Sequence, residues 1–107
     1  MERELVILIE KRSRYVEKFL ETIVTEGCIP FKELRKLFPS TIAHGTIQSF
    51  IYKTNATLKE LYPDVILFSL DFVMRDGKAT KVYKIHSKVE FESAGAYNVL
   101  VMKYEKE

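Results

Sequence analysis

Apolar positions at helical spacing dominate the centre of the chain. Over residues 46–62, the apolar side chains fall within an arc of roughly 100° when successive residues are placed about 100° apart. Thr46 suits the N-cap of this predicted helix, and Pro63 with Asp64 ends it because proline cannot continue a helix. The core-facing stripe consists of Ile47, Phe50, Ile51, Thr54, Leu58 and Leu61.

The opposite face of this helix carries hydrogen-bonding and cationic side chains around a small residue. Such a face suits a helix in a DNA major groove about 12 Å wide, where Ala56 would let the backbone approach closely. A solvated face is the more common explanation for a single amphipathic helix, so the flanking elements must decide. The exposed positions are Gln48, Ser49, Tyr52, Lys53, Asn55, Ala56 and Lys59.

Two shorter helices are predicted upstream. The first carries an apolar stripe and ends at Glu26-Gly27, and the second begins at Pro30 and is broken by Pro39. Residues 40–46 form the corner before the central helix, and their first part would add a helical turn in one interpretation. Two helices joined by a short polar corner form a helix-turn-helix arrangement. The apolar positions are Tyr15, Val16, Phe19, Leu20 and Ile23 in the first helix, and Phe31, Leu34, Leu37 and Phe38 in the second.

A β-hairpin is predicted downstream. Residues 65–74 and 79–92 are rich in β-branched and aromatic side chains, and they flank a central Asp76-Gly77, which favours a type I′ turn. A two-residue turn fixes the register and makes one face mostly apolar. The predicted pairs on that face are Phe72 with Lys81, Leu70 with Tyr83, Phe68 with Ile85 and Ile66 with Ser87.

Both ends of the chain fit two structures. Residues 93–96 suggest a turn, after which residues 97–104 fit an antiparallel strand with Leu100 opposite Val89 and Met102 opposite Ser87, but they also fit a helix. Residues 5–9 are apolar on every side, as in a buried strand or in a helix buried on more than one face. We expect one long N-terminal helix that packs against a second copy, or alternatively against the additional strand. The expected dimer contacts are Leu5, Val6, Leu8 and Ile9.

The predicted helices and strands make the fold class α+β, and a length of 107 residues with 47% hydrophobic side chains predicts one domain. The chain has no apolar run of about 18 residues and no signal-peptide pattern, so we expect a cytoplasmic protein without membrane contact. Its one cysteine, Cys28, is expected to be a small buried residue. One glutamine and two asparagines beside twelve lysines and twelve glutamates favour a heat-adapted source.

Positive charge is concentrated in the centre. Residues 28–88 carry a net +5, whereas residues 1–27 carry −1 and residues 89–107 carry −2. This distribution favours phosphate contacts by the central part. The two histidines, His44 and His86, lack neighbouring metal ligands in the sequence, and no glycine-rich phosphate loop is present, so we expect no catalytic site, metal or cofactor.

Residues 13–88, in this order of helices, corner and Asp-Gly hairpin, resemble the winged helix-turn-helix superfamily, and most closely its small archaeal, plasmid and viral regulators. The resemblance implies a winged helix with an extended antiparallel β-hairpin or three-stranded sheet. Its segments would be an N-terminal helix (1–26), the helix-turn-helix (28–64), the wing hairpin (65–92) and an additional strand or helix (93–107). It also implies a homodimeric transcriptional regulator that binds double-stranded DNA; the alternative is a winged helix used only for protein contact, as an assembly or inhibitor subunit. The implied DNA-binding residues are His44, Thr46, Gln48, Ser49, Tyr52, Lys53, Lys59, Arg75 and Lys78.

Overall fold

Nine regular elements follow one another in the computed structural model, which describes residues 1–38 and 40–105. The protein is an α+β fold with three helices and two three-stranded antiparallel sheets, in the orders β1-β6-β5 and β2-β4-β3. The elements are β1 (Glu2–Glu10), α1 (Arg14–Glu26), β2 (Cys28–Pro30), α2 (Phe31–Leu37), α3 (Thr41–Leu61), β3 (Phe68–Arg75), β4 (Lys78–Ile85), β5 (Val89–Ala94) and β6 (Tyr97–Glu105).

The predicted N-terminal helix is wrong in its first half, because residues 2–10 form strand β1. This strand pairs along its whole length with β6, from Glu2 opposite Glu105 to Glu10 opposite Tyr97. The β-branched residues in the apolar run suit a strand, and the partner that stabilises it lies far away in the sequence. The alternative of packing within the chain, against the additional strand, is therefore correct. Residues 97–105 form a strand as well, which is β6.

Helix α1 begins and ends at local signals. The Ser13 side chain accepts a hydrogen bond from the Tyr15 N–H at 3.2 Å and forms the N-cap. At the other end Gly27 adopts φ +82°, and its N–H donates to the Ile23 carbonyl at 2.8 Å. This end agrees with the predicted stop at Glu26-Gly27, since glycine takes the left-handed conformation without steric cost.

Helix α3 begins earlier than predicted. Its N-cap is Ser40, whose side chain accepts from the Ile42 N–H at 3.2 Å, so the prediction of Thr46 as N-cap is wrong. Thr46 lies inside the helix and donates its hydroxyl proton to the Ile42 carbonyl at 2.9 Å. The extra helical turn considered for the corner is thus part of α3 itself. The predicted break at Pro39 lies outside the described residues.

The β3–β4 hairpin has the predicted register, with Phe72 opposite Lys81, Leu70 opposite Tyr83 and Phe68 opposite Ile85. Asp76 and Gly77 adopt φ 51° and 77°, as a type I′ turn requires. Strand β3 begins at Phe68, three residues later than predicted, and β4 ends at Ile85 rather than continuing to residue 92.

Residues 89–94 form β5, which belongs to the other sheet. They pair with β6 so that Val89 faces Met102 and Phe91 faces Leu100, two residues away from the predicted register. Gly95 and Ala96 form the turn, with Gly95 at φ 61°, whereas the prediction had centred it one residue earlier. The shift of two residues leaves the inward-facing side chains of β6 on the same face.

One hydrophobic core joins the two sheets and the three helices. Phe19 and Leu20 of α1, Ile47 of α3, Phe68 of β3 and Leu100 of β6 are all almost completely buried. The short strand β2 was not predicted; it pairs with β4, with Ile29 opposite Tyr83. In the part of the chain that the structure describes, no helix has the length and apolar character needed to cross a membrane.

Candidate nucleic-acid interface

Most of the exposed face of α3 lies along two grooves, one on each side of the helix. Gln48, Ser49, Tyr52, Lys53 and Lys59 are all exposed, as predicted, whereas Thr46 and His44 are half-buried. Because residues three and four apart share one side of a helix, these side chains separate into two rows. The row toward the hairpin contains Gln48, Tyr52 and Lys59, and the row toward α1 contains Thr46, Ser49 and Lys53.

The groove between α3 and β3 has a volume of about 500 Å³. On its helix side lie Tyr52, which is 76% exposed, and Lys59. On its hairpin side lie Ser69 and Leu70. The groove thus places a phenol, an ammonium group and an apolar side chain around one opening.

Asn55 lines the same groove but has a structural role. Its Nδ2 donates to the Phe68 carbonyl at 3.0 Å, and the Phe68 N–H donates to its Oδ1 at 3.3 Å. The sequence placed Asn55 on the face available for DNA, but both polar atoms of its amide are used to hold β3 against the helix. Periodicity gives the direction of a side chain and cannot show such a partner.

Gln48 also lies beside a side chain of the hairpin. Burial raises the pKa of the Tyr83 hydroxyl, and a side-chain hydrogen bond with Gln48 acts in the opposite direction. Tyr83 stacks on Phe31, with ring centroids 4.6 Å apart, and Lys81 Nζ lies 5.0 Å from the Phe31 centroid. Gln48 and Tyr83 therefore line the same groove, and Tyr83 is backed by the ring of Phe31.

The second groove, of about 780 Å³, lies between α3 and the segment that joins β1 to α1. Its lining includes Arg12 and Ser13 beside Ser49 and Lys53. The sequence prediction missed Arg12. The signal that could have identified it is the run Lys11-Arg12-Ser13-Arg14, three cations around the start of helix α1. Arg12 contacts the Glu10 carboxylate at 2.6 Å, and both groups are exposed.

The remaining predicted residues lie in two further places. His44 shares a third groove, of about 540 Å³, with Arg35 and Gln48, and Arg35 had not been predicted either. Arg75 and Lys78 lie at the hairpin tip and line a groove with the start of α2. The structure therefore brings most of the predicted residues to α3 and its borders, but it separates the tip cations from the α3 grooves.

The predicted dimer residues do not share one surface. Leu5 is buried in the core of the chain and Ile9 is half-buried beside the second groove, whereas Val6 and Leu8 are exposed by 53% and 61% on the outer face of the sheet. This division follows from the alternation of side chains along a strand. A helix would have grouped these residues differently.

An exposed apolar strip on β3 had not been predicted as a surface. Leu70, Phe72 and Met74 are exposed by 52%, 63% and 70%, and they follow one another along one face of the strand. They belong to the hairpin face that carries the buried Phe68 nearer the helices. The hairpin extends beyond the core and leaves the apolar side chains of its outer half exposed.

Two observations bear on chemistry at other positions. Among residues 1–38 and 40–105, no group of three or more His, Cys, Asp or Glu side chains is placed to hold a metal ion. Cys28 is half-buried, where burial had been expected.

Comparison with family models, curated proteins and solved structures found no match to this chain.

Proposed function

We propose that the protein binds duplex DNA as a winged helix and regulates transcription as a homodimer. The observation that carries the proposal is the exposed face of α3, with cations on both of its borders. The order of α2, α3 and the β3–β4 hairpin, with its type I′ turn, is the order on which the resemblance rests, and it supports the proposal of a winged helix. A cytoplasmic location and an archaeal or viral source are parts of the same proposal.

The dimensions and chemistry of α3 suit a major groove. A helix about 10–12 Å across fits a groove about 12 Å wide, and the exposed Gly45 and Ala56 allow close approach of its backbone. Gln48, Ser49 and Tyr52 supply hydrogen-bonding groups for base edges. The cations beside this face would contact the phosphates, and such contacts position a protein on the duplex. These cations are Arg12, Arg35, Lys53 and Lys59.

The test is fluorescence anisotropy of a mixed-sequence duplex titrated with protein over a series of salt concentrations. We expect binding to weaken with a log–log slope of about −4 to −8, as several phosphate contacts require. Lys53→Glu should weaken binding, while Lys103→Glu, which changes an exposed lysine on β6, should not. Absence of binding at low salt, or equal effects of the two substitutions, would contradict the proposal.

The second candidate function is protein contact without DNA binding, as an assembly or inhibitor subunit. The exposed apolar strip on β3 favours it, since contiguous apolar surface marks protein-binding sites more often than nucleic-acid sites. Under this alternative, neither the parent protein nor Lys53→Glu binds DNA. The anisotropy series therefore separates the two functions, because fold alone does not choose between them.

A further inference from the structure

Along the outer edge of β3, every second residue directs its main-chain N–H and C=O away from the sheet. Strand β3 is the last strand of the order β2-β4-β3. Phe68 directs its N–H and C=O away from β4, where Asn55 binds both. Main-chain direction alternates along a strand, so Leu70, Phe72 and Met74 direct theirs to the same outer edge. The Phe72 N–H is met there by the neighbouring Asp71 carboxylate at 2.8 Å.

The same three residues carry the exposed apolar strip. An edge strand with exposed apolar side chains is a template for pairing with another strand, and monomeric proteins usually protect such edges with charges or bulges. Here the protection consists of Asn55 at the inner end, the Asp71 carboxylate on the Phe72 N–H and the charged turn at the outer end. The three positions between the ends carry apolar side chains, and pairing would exchange the Asp71 carboxylate for a main-chain carbonyl of the partner strand at Phe72.

We propose that a second copy of the chain pairs with this edge, β3 against β3 in antiparallel orientation, with the twofold axis at Phe72. The two β2-β4-β3 sheets then become one six-stranded sheet. Phe72 faces the partner subunit's Phe72, and Leu70 faces the partner subunit's Met74. This inference names the interface for the homodimer part of the proposed function, and it does not depend on DNA binding.

Hydrogen bonding and charge select this register. An axis at Asp71 would bring two carboxylates opposite each other and would require Met74 to pair with Phe68, whose groups Asn55 occupies. An axis at Val73 would place Leu70 opposite the turn residue Asp76, beyond the end of the strand. The axis at Phe72 uses all three positions. It places no like charges directly opposite each other, and the diagonal neighbours of Asp71 are the partner subunit's Arg75 and the partner subunit's Asp71.

The edge of β1 fits a second copy less well. Strand β1 is also an edge strand and carries the exposed Val6 and Leu8. An antiparallel pair of β1 strands centred on Val6 would place Glu2 opposite Glu10, and a pair centred on Ile7 would place Glu4 opposite Glu10. Like charges directly opposite each other destabilise a pair of strands. Both of these β1 registers oppose glutamates, whereas the Phe72-centred pairing of β3 opposes no like charges.

Phe72→Glu and Leu8→Glu form a matched pair for the test, because the two side chains are 63% and 61% exposed on edge strands. Light scattering on eluting protein, without DNA, should give about twice the 12.5 kDa chain mass for the parent protein and for Leu8→Glu. Phe72→Glu should elute as a monomer with an unchanged circular dichroism spectrum. A monomeric parent, a dimeric Phe72→Glu or a monomeric Leu8→Glu would overturn the proposal.

Cysteine cross-linking tests the register. Residues directly opposite in a hydrogen-bonded antiparallel pair have Cα atoms about 5.5 Å apart, within the range for a disulfide. In a Cys28→Ser background, Phe72→Cys should form an oxidised dimer faster than Asp71→Cys or Val73→Cys. Faster cross-linking at position 71 or 73, or none at any of the three, would overturn the Phe72-centred pairing. DNA affinity is measured separately, so failure here leaves the anisotropy result intact.

Discussion

The side-chain amide of Asn55 makes two hydrogen bonds with the main chain of Phe68, at 3.0 Å and 3.3 Å. This pair joins the middle of α3 to the first residue of β3, and it therefore sets the position of the hairpin beside the exposed helix face. It also occupies the first outward position of the β3 edge. One side chain thus determines both the groove along α3 and the length of edge that a second copy can use.

Asn55→Ala should lower the free energy of unfolding by about 1–3 kcal/mol, because it leaves two main-chain groups of Phe68 without their partner. The control is Thr57→Ala, an exposed α3 position whose hydroxyl bonds to the Lys53 carbonyl within the helix. Urea denaturation measures both. Hydrogen exchange should also show faster exchange in β3 for Asn55→Ala, and equal stability of the two variants would contradict this role.

Ser40→Ala should lower the free energy of unfolding by about 1 kcal/mol, because it removes the N-cap of α3. Thr46→Ala should change it little or raise it, since alanine is the better residue inside a helix. Thermal and urea denaturation of the two variants locate the start of the helix. A larger loss for Thr46→Ala would place the N-cap where the sequence had predicted it.

Stability should fall at alkaline pH through Tyr83. Burial raises the pKa of its hydroxyl above the usual 10.0, so the folded protein keeps the proton after the unfolded chain has begun to lose it. The associated stability is present below about pH 10 and is lost as pH rises through the higher folded pKa. Between about pH 9 and about pH 11, urea denaturation should show a larger loss for the parent protein than for Tyr83→Phe. Equal losses would exclude a raised folded-state pKa.

Asn98→Leu should raise the free energy of unfolding by about 1 kcal/mol or more. Asn98 is 1% exposed on the inner face of β6, and its Oδ1 and Nδ2 have no hydrogen-bond partner among the described residues. An isolated buried amide loses its hydration without compensation, and leucine has a similar shape. Thermal denaturation is the measurement. A fall in the free energy of unfolding would contradict the statement that the Asn98 amide is buried without a hydrogen-bond partner.

Arg12→Ala should weaken DNA binding to the same degree for all duplex sequences and should reduce the salt slope by about 1. Its side chain lines the same groove as Lys53, where a phosphate contact would position the duplex. Arg3→Ala, which removes an exposed arginine of β1, is the control. Gln48→Ala should instead alter the preference among sequences. An unchanged salt slope for Arg12→Ala would remove the second groove from the interface.

Local chemistry determined several features of this protein from the sequence by itself. Gly27 ends α1, and Asp76-Gly77 fixes the hairpin register, because each acts through its own backbone conformation. Most of the apolar stripe of α3 and most of its exposed face also follow from periodicity, although Leu61, predicted in the stripe, is 67% exposed. These signals depend on neighbouring residues and need no knowledge of the rest of the chain.

Only the tertiary structure decided the identity of β1, the sheet to which β5 belongs and the role of Asn55. Residues 5–9 are apolar on all sides, and β6, about ninety residues away, supplies the hydrogen bonds that make them a strand. Asn55, which periodicity placed on the exposed face, instead bonds to the main chain of Phe68, and this partner is also supplied by a distant part of the chain. The partner of a strand or of a polar side chain is a long-range fact, and local periodicity does not contain it.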